Sequence, residues 1–215
     1  MTGRPSVTIV DYGRGNLLSV GRAFEQAGAD VVITDDARVI AEAARVVVPG
    51  VGAFGDAMNE LSARDLIEPL KSYAGTGLPI LGVCVGMQIL FDGGEEFGEN
   101  AGLGLLPGSV TPIAGRSKMR LKIPHIGWDR LIPASSWDGT ILAGLGDDPY
   151  CYFVHSFAAV PENPSDLLSQ SVYGDITLTA AVRRGNVWGC QFHPEKSGPV
   201  GLKIISNFLE LTRVS

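Results

Sequence analysis

Apolar runs and amphipathic stretches alternate over the first part of the chain. The run at residues 7–10, apolar except for Thr8, and the apolar run at 46–48 are typical of buried strands. Apolar residues at helical spacing over 16–27 indicate an amphipathic helix. The other strand-like runs are 31–33 and 78–83, and the other helical stretches are 53–61 and 65–73. This βαβ succession predicts an α/β fold with a mostly parallel central sheet, flanked by helices, and a site at the carboxyl ends of its strands.

The pattern changes after about residue 100, where glycine-containing turns separate short β runs. These runs lie at residues 104–111, 119–128, 152–154, 176–183 and 187–192, and an amphipathic helix is predicted over 200–211. We therefore expect additional antiparallel β hairpins in the second half. No stretch is rich enough in Pro, Gly or Ser to mark a second domain, so the sequence predicts a single domain over residues 7–213, preceded by a flexible N-terminal extension over residues 1–6.

Composition narrows the class of function. The chain has 215 residues, 45% of them hydrophobic, and a formal net charge of −6, which suits one well-packed core. Acidic charge with scattered Lys and Arg argues against nucleic acid as a partner, and the apolar runs are far shorter than the roughly 20 residues of a membrane span. Cys84, Cys151 and Cys190 form no close pair, which favours a reducing compartment. We expect a cytoplasmic protein.

The most specific local signal surrounds Cys84. An apolar run ends at this cysteine, and Gly82 and Gly86 bracket it. A strand that enters a helix through a tight turn between small residues holds a nucleophile out at the edge of a sheet. Cys84 is therefore the predicted nucleophile, although a cysteine in an apolar run can also be a core residue. Cys151 and Cys190 lack such flanks and are predicted to be structural.

A cysteine nucleophile requires a base and a group that holds the base. His193 follows the apolar run at 187–192 and precedes Pro194 and Glu195. An extended backbone here would point side chains 193 and 195 to the same side, so that Glu195 binds one imidazole nitrogen while the other faces the thiol. The sequence thus predicts a Cys-His-Glu triad. His125 and His155 could be ligands or bases, but we expect packed, hydrogen-bonded residues.

Backbone donors for an oxyanion are expected beside the nucleophile. Gly50, Val51 and Gly52 follow a neighbouring predicted strand, and glycines let backbone N–H groups approach a substrate carbonyl closely. The N–H of Val85, directly after the nucleophile, is a second predicted donor. The same glycines are also compatible with a plain turn.

Three of these segments, residues 49–52, 82–88 and 193–195 in this order, resemble the class I (triad) glutamine amidotransferases. Further segments resemble the glutaminase subunits of imidazole glycerol phosphate synthases, and the resemblance runs from about residue 7 to the C-terminal helix. These further segments are 11–17 (DYGRGNL), 124–128 (PHIGW), 152–156 (YFVHS) and 192–197 (FHPEKS).

The resemblance implies hydrolysis of glutamine to glutamate and ammonia through a thioester on Cys84. It implies that His193 and Glu195 complete the triad, and that Gly52 and Val85 lie at the oxyanion site. It also implies that ammonia passes to a separate cyclase subunit with a (β/α)8 barrel, which makes imidazole glycerol phosphate and AICAR in histidine biosynthesis. No metal and no organic cofactor is implied for this chain.

The resemblance also assigns residues around the substrate and the partner. Gln88, His155 and Ser156 fall around the glutamine, and the isolated chain is expected to be a poor glutaminase, with the peptide after Gly50 misoriented until the cyclase binds substrate. The residues that fall where family members meet the cyclase are Asn16, Trp128, Tyr152 and Lys196.

Two positions depart from the commoner residues of the family. Val85 stands in place of leucine but keeps the same backbone N–H. Phe157 stands in place of tyrosine and lacks its hydroxyl, which leaves any side-chain role there open.

Other interpretations stay open on the sequence alone. The chain could serve another synthase that makes anthranilate, aminodeoxychorismate or pyridoxal phosphate, or it could be a γ-glutamyl peptidase without a partner. A non-catalytic regulatory subunit is disfavoured by the intact Cys84, His193 and Glu195. A zinc site is disfavoured because the Pro-Cys-x-x-Cys that must follow His-x-Glu is absent, and a dinucleotide loop because Leu18 occupies the third glycine position.

Overall fold

The computed structural model describes residues 3–213, which fold around an eight-stranded sheet. The strands are β1 (Ser6–Val10), β2 (Asp30–Thr34), β3 (Val46–Gly50), β4 (Ile80–Cys84), β5 (Phe91–Gly94), β6 (Asn100–Ala101), β7 (Leu106–Pro112), β8 (His125–Arg130), β9 (Ile132–Pro133), β10 (Tyr150–His155), β11 (Phe157–Pro161), β12 (Leu167–Tyr173), β13 (Ile176–Arg184) and β14 (Val187–Cys190). The helices are α1 (Leu17–Gln26), α2 (Ala37–Ala41), α3 (Phe54–Ala63), α4 (Ile67–Ala74), α5 (Val85–Gln88) and α6 (Gly198–Glu210), with 3₁₀ turns at Pro164–Asp166 and Pro194–Lys196.

The strands of the main sheet have the order β2-β1-β3-β4-β14-β13-β12-β9. The five strands from β2 to β14 are parallel, and the remaining three pair antiparallel. β3 and β4 are buried along their whole length, because the apolar character of their sequences suits strands that are covered on both faces. Since β3, β4 and β14 run parallel, their carboxyl ends meet at one edge, where the predicted site residues follow them.

Two smaller sheets complete the second half. β8 and β10 form an antiparallel ribbon, and β11, β7, β5 and β6 form a four-stranded sheet. The ribbon contacts the 3₁₀ turn at Pro194–Lys196. The antiparallel additions expected from the sequence are therefore present, and the ribbon lies beside the turn that follows β14 at the carboxyl edge of the main sheet.

Several predicted boundaries were wrong. β3 continues through Pro49 and Gly50, because Gly50 pairs with Cys84 of β4. Of the run predicted at 119–128, only the part from His125 is a strand. The start of the run is held by side chains instead: the N–H of Lys118 donates to Oδ2 of Asp175, and the N–H of Met119 donates to Oγ of Ser117. The pattern also missed α2 and the strands β5, β6, β9, β11 and β12, whose sequences are short or interrupted by Gly, Pro and Ser.

The chain termini bear on the predicted domain boundaries. β1 begins at Ser6, one residue before the predicted apolar run. Residues 1 and 2 of the predicted extension, and residues 214 and 215, lie outside the described residues. The division into an extension over 1–6 and a domain over 7–213 stays a prediction. Within residues 3–213, no helix combines the length and the apolar character that crossing a membrane requires.

Two helical glycines give opposite predictions for alanine substitution. A Cβ at Gly201 of α6 would lie 1.9 Å from the carbonyl oxygen of Pro194, whereas a Cβ at Gly21 of α1 would meet no atom closer than 3.6 Å. We expect Gly201→Ala to lower the free energy of unfolding by about 2 kcal/mol or more, because α6 must move off the turn. Gly21→Ala should raise it by about 0.5–1 kcal/mol, because alanine favours helix. Denaturant unfolding measures both, and equal effects would contradict this packing.

Candidate active site

Cys84 is the last residue of β4, between β3 and β14. Its backbone has φ +56° and ψ −113°, which residues other than glycine rarely adopt, and α5 begins at the next residue. The turn requires a glycine at position 86, because a Cβ there would lie 1.8 Å from the carbonyl oxygen of Val48. The structure therefore has the strand-turn-helix geometry predicted from the sequence, with the thiol at the carboxyl edge of the sheet.

His193 and Glu195 come from the segment after β14. The Nδ1 atom of His193 lies 2.8 Å from Oε1 of Glu195, and both side chains are almost fully buried. The expected extended backbone was wrong, because Pro194 begins a 3₁₀ turn whose last residue is Lys196. The turn is held by Ser197, whose hydroxyl donates to the carbonyl oxygen of His193 at 2.6 Å. The carboxylate nevertheless binds the imidazole on the predicted side.

The His193 imidazole also interacts with Cys84, and the two side chains line the same cavity. Burial by itself lowers the pKa of His193, but polar interactions with Cys84 and Glu195 outweigh burial and raise the pKa to about 9. At neutral pH the imidazole therefore holds a proton that it can pass to a leaving group. The structure brings the three predicted triad residues together in the predicted order.

We expect the His193 imidazole to titrate near pH 9 in NMR spectra of the folded chain. Cys84→Ala and Glu195→Gln each remove one interaction that raises the pKa, so each should shift the titration toward the ordinary value of about 6.5. Because folding raises this pKa, His193 contributes stability below about pH 6.5, and the contribution is lost as the pH rises through 9. Titration near 6.5 in the wild-type chain would contradict the arrangement.

A cavity of about 350 Å³ opens in front of Cys84 and His193, large enough for an amino acid. The predicted oxyanion and substrate residues that line it are Val51, Gly52, Val85, Gln88, His155 and Ser156. Gly50 and Glu195 do not line it. Gly50 lies behind the cavity wall, since a Cβ on Gly50 would come within 2.6 Å of the Gly86 nitrogen. Glu195 lies behind the His193 imidazole, to which it is hydrogen-bonded.

Two polar residues of this site were not predicted from the sequence. Glu96 lines the cavity, and its Oε2 accepts a hydrogen bond from the N–H of Phe54 at 2.8 Å. Gln191 is fully buried, and its Nε2 lies 3.7 Å from Sγ of Cys84. Gln191 is the one strongly polar residue in the otherwise apolar run at 187–192. A polar amide within a run that is predicted to be buried was the signal that could have identified it. Glu96 lies in an acidic loop that carried no motif.

Gln88 connects the cavity wall to the nucleophile. Its Nε2 donates to Oε1 of Gln191 at 2.9 Å and to the carbonyl oxygen of Phe157 at 3.1 Å. Gln191 in turn contacts Cys84. At position 157 this interaction uses the backbone carbonyl, so it does not require the tyrosine hydroxyl that is commoner in the family.

His155, in the cavity wall, and His125, behind it, form a hydrogen-bonded chain. Nδ1 of His155 donates to the carbonyl oxygen of Phe157 at 2.8 Å, and burial lowers the pKa of His155 to about 3, so its Nε2 is an acceptor. Nδ1 of His125 must therefore donate to it, at 2.9 Å, and Nε2 of His125 hydrogen-bonds Asp129. Both histidines are packed and hydrogen-bonded, as expected. Within residues 3–213 no three His, Cys, Asp or Glu side chains group to hold a metal ion.

Three of the four predicted partner residues form one cluster beside the cavity. Trp128 is 51% exposed and contacts Tyr152 across the β8–β10 ribbon, with ring centroids 6.1 Å apart. Nζ of Lys196 lies 5.9 Å from the centroid of the Tyr152 ring. Asn16 caps α1 by accepting a hydrogen bond from the N–H of Ser19, and α1 contacts the turn that carries Lys196. An exposed aromatic group therefore adjoins the cavity.

A strained cysteine beside a carboxylate-bound histidine, at the carboxyl edge of a parallel sheet, is an arrangement typical of α/β enzymes that use a thiol nucleophile. The family model described as glutamine amidotransferase class-I matches residues 8–211, and the chain belongs to this family.

Relatives within this family are similar over nearly the whole chain. The chain is 46% identical, over 211 residues, to the imidazole glycerol phosphate synthase subunit HisH 1 of Legionella pneumophila (strain Lens), with 96% of this chain and 99% of that protein covered. It is 49% identical, over 208 residues, to the HisH subunit of Salinibacter ruber, with 95% and 94% covered.

Solved structures confirm the predicted fold class. One titled PurLQS from Thermotoga maritima has a TM-score of 0.72 at 22% identity and covers 96% of this chain and 98% of that chain. One titled glutamine amidotransferase has a TM-score of 0.71 at 18% identity, with 95% and 99% covered.

Proposed function

We propose that this chain is the glutaminase subunit of an imidazole glycerol phosphate synthase, which hydrolyses glutamine and passes the ammonia to a cyclase subunit with a (β/α)8 barrel. The observation that carries the proposal is the joint position of Cys84, His193 and Glu195 at an amino-acid-sized cavity in a chain 44–49% identical to HisH subunits. These relatives favour this synthase over the other synthases that sequence analysis left open.

The chemistry follows from the positions of the three side chains. The Cys84 sulfur attacks the amide carbon of glutamine, and the thiol proton resides on His193. The tetrahedral oxyanion accepts hydrogen bonds from the N–H groups of Val85 and of the Val51–Gly52 segment. His193 then protonates the departing nitrogen, which leaves as ammonia, and a thioester remains. His193 next takes a proton from water, which attacks the thioester and releases glutamate and the free thiol.

The cavity lining suits the zwitterionic end of an amino acid. Glu96 supplies a carboxylate that complements the α-ammonium group, and Lys196 supplies a cation that complements the α-carboxylate. Gln88 and the backbone around Ser156 supply the polar contacts for the rest of the substrate. Lys196 thus faces both the cavity and the aromatic cluster with Tyr152, where the partner is proposed to bind.

The test is glutamate release from glutamine by the purified chain, alone, with the cognate cyclase, and with the cyclase plus an analogue of its phosphoribosyl substrate. Strong stimulation only when both are present is the expected result. Full activity of the isolated chain, or stimulation only by a chorismate-using partner, would overturn the proposed synthase while leaving the chemistry of Cys84 in place.

A further inference from the structure

The oxyanion segment, defined here as residues 50–53, lies between two side-chain anchors. At its far end the N–H of Phe54, the first residue of α3, donates to Oε2 of Glu96 at 2.8 Å. At its near end the hydroxyl of Tyr12 donates to the carbonyl oxygen of Pro49 at 2.6 Å. Between the anchors, Val51 is 41% exposed and Gly52 has a φ of +95°. The proposed donors therefore lie on a short exposed segment with both ends held.

The buried side chain of Tyr12 packs against the start of this segment. Tyr12 follows β1, and its side chain is fully buried. The backbone register between β1 and β3 ends at Ile9 and Val47, so at Pro49 the Tyr12 hydroxyl supplies a contact on the side where β1 no longer pairs, while β4 still pairs with the other side of β3. A Cβ at Gly50 would lie 2.7 Å from the hydroxyl oxygen, so Tyr12 directly adjoins the residue where the segment begins.

The hydroxyl of Tyr12 stays a donor in this place. Burial raises the pKa of Tyr12, and the neighbouring Cys84 adds to the rise, so the phenol remains protonated. The carbonyl of Pro49 accepts its proton in a buried setting, where an unmade hydrogen bond is costly.

The hydrogen bond from Tyr12 to Pro49 restricts the backbone rotations that are possible at the start of the oxyanion segment. The pyrrolidine ring fixes φ of Pro49, and the Tyr12 hydroxyl, together with the pairing of Gly50 with Cys84 of β4, holds the plane of the peptide between residues 49 and 50. Any rotation that turns the next N–H toward or away from the substrate must therefore begin at Gly50. The orientation of the oxyanion donor therefore depends on how firmly the peptide before Gly50 is held, and Tyr12 holds it on the side away from β4.

We propose that Tyr12 is a positioning residue for glutamine hydrolysis, which holds the Pro49 carbonyl so that the following peptide N–H can meet the oxyanion. This inference rests on the proposed glutaminase function. Tyr12 does not touch the substrate; it acts through the Pro49–Gly50 peptide.

Tyr12→Phe tests the inference because it removes only the hydroxyl. In the complex with the cyclase and its substrate analogue, we expect kcat for glutamine hydrolysis to fall about tenfold, because a displaced oxyanion donor stabilises the transition state less. The KM for glutamine should stay within about twofold, since the ground-state contacts are unchanged. Alkylation of Cys84 by iodoacetamide, which forms no oxyanion, should keep its wild-type rate.

Tyr73→Phe is the matched control. Tyr73 is also buried, and its hydroxyl donates to another proline carbonyl, that of Pro79, at 3.3 Å. Pro79 precedes the first residue of β4, at the opposite end of this strand from Cys84. Loss of a buried hydroxyl should lower the melting temperature of both variants, but only Tyr12→Phe should lower kcat.

The outcomes separate the inference from the proposed function. If the wild-type complex releases no glutamate, the proposed function fails and the role of Tyr12 falls with it. If the wild-type complex is active and Tyr12→Phe matches its kcat, or if Tyr73→Phe loses as much, the role of Tyr12 alone is overturned. Placing 4-aminophenylalanine at position 12 restores an N–H donor on the same ring, and it should recover much of the lost kcat.

Discussion

Cys84→Ala should abolish glutamate release from glutamine, with kcat reduced by roughly 10⁴-fold or more. The substitution removes the sulfur on which the proposed thioester forms, and the oxyanion donors cannot replace a nucleophile. Cys84 is 4% exposed, so the partner-facing surface should not change. The complex with the cyclase should therefore still form and should still make its imidazole product when ammonium salt replaces glutamine.

Cys151→Ala is the control for this experiment. Cys151 is fully buried on β10 and does not line the cavity. The variant should keep its glutaminase kcat within about twofold while losing a little stability, as small core truncations do. Glutamate release at the wild-type rate by Cys84→Ala, or an equal loss in Cys151→Ala, would contradict the assignment of the nucleophile. Loss of ammonium-dependent synthesis in Cys84→Ala would indicate a structural effect instead.

The sequence predicted the inner parallel strands of the main sheet well because these strands are covered on both faces. A strand such as β3 or β4 must be apolar at every position, and an uninterrupted apolar run of that length is easy to recognise. The strands of the smaller sheets have no such constraint. In the four-stranded sheet, β5 contains Gly93 and Gly94. The outer antiparallel strand β12 of the main sheet also lacks a continuous apolar run, because the buried Ser169 and Ser171 lie beside the partly buried Gln170 and the exposed Val172. Neither strand gives a clear periodic signal.

For the site, the sequence predicted residues that belong to local motifs and missed those that act across the fold. Cys84, His193 and Glu195 stand in short patterns with strong backbone requirements. Gln191 and Tyr12 reach the site only through tertiary contacts, at Sγ of Cys84 and at the carbonyl of Pro49. No spacing along the chain encodes such contacts. The sequence also placed Glu195 correctly for the wrong local reason, because a 3₁₀ turn rather than an extended backbone aims its side chain.

Glu195→Gln should lower kcat for glutamine hydrolysis by about 10²–10⁴-fold, with KM changed by no more than about threefold. Oε1 of Glu195 lies 2.8 Å from Nδ1 of His193, and the buried Oε2 has no hydrogen-bond partner among residues 3–213. An amide keeps the shape but removes the charge that stabilises the imidazolium. If the amide turns its NH₂ toward Nδ1, it also selects the tautomer whose proton faces the thiol, so the imidazole cannot accept the proton of Cys84.

Asp166→Asn is the control for Glu195→Gln. It shows whether the loss of any buried carboxylate has the same effect as the loss of the Glu195 charge. Asp166 is also buried, and its Oδ2 lies 3.1 Å from Nη1 of Arg184, outside the cavity. Both variants should lose stability. Glu195→Gln leaves the buried His193 imidazolium without its charged partner, and Asp166→Asn replaces an ion pair with the half-exposed Arg184 by a weaker hydrogen bond. Only Glu195→Gln should lose kcat and shift the titration of His193. If the two variants show the same kcat, the carboxylate of Glu195 is structural and the triad reduces to a Cys84–His193 pair.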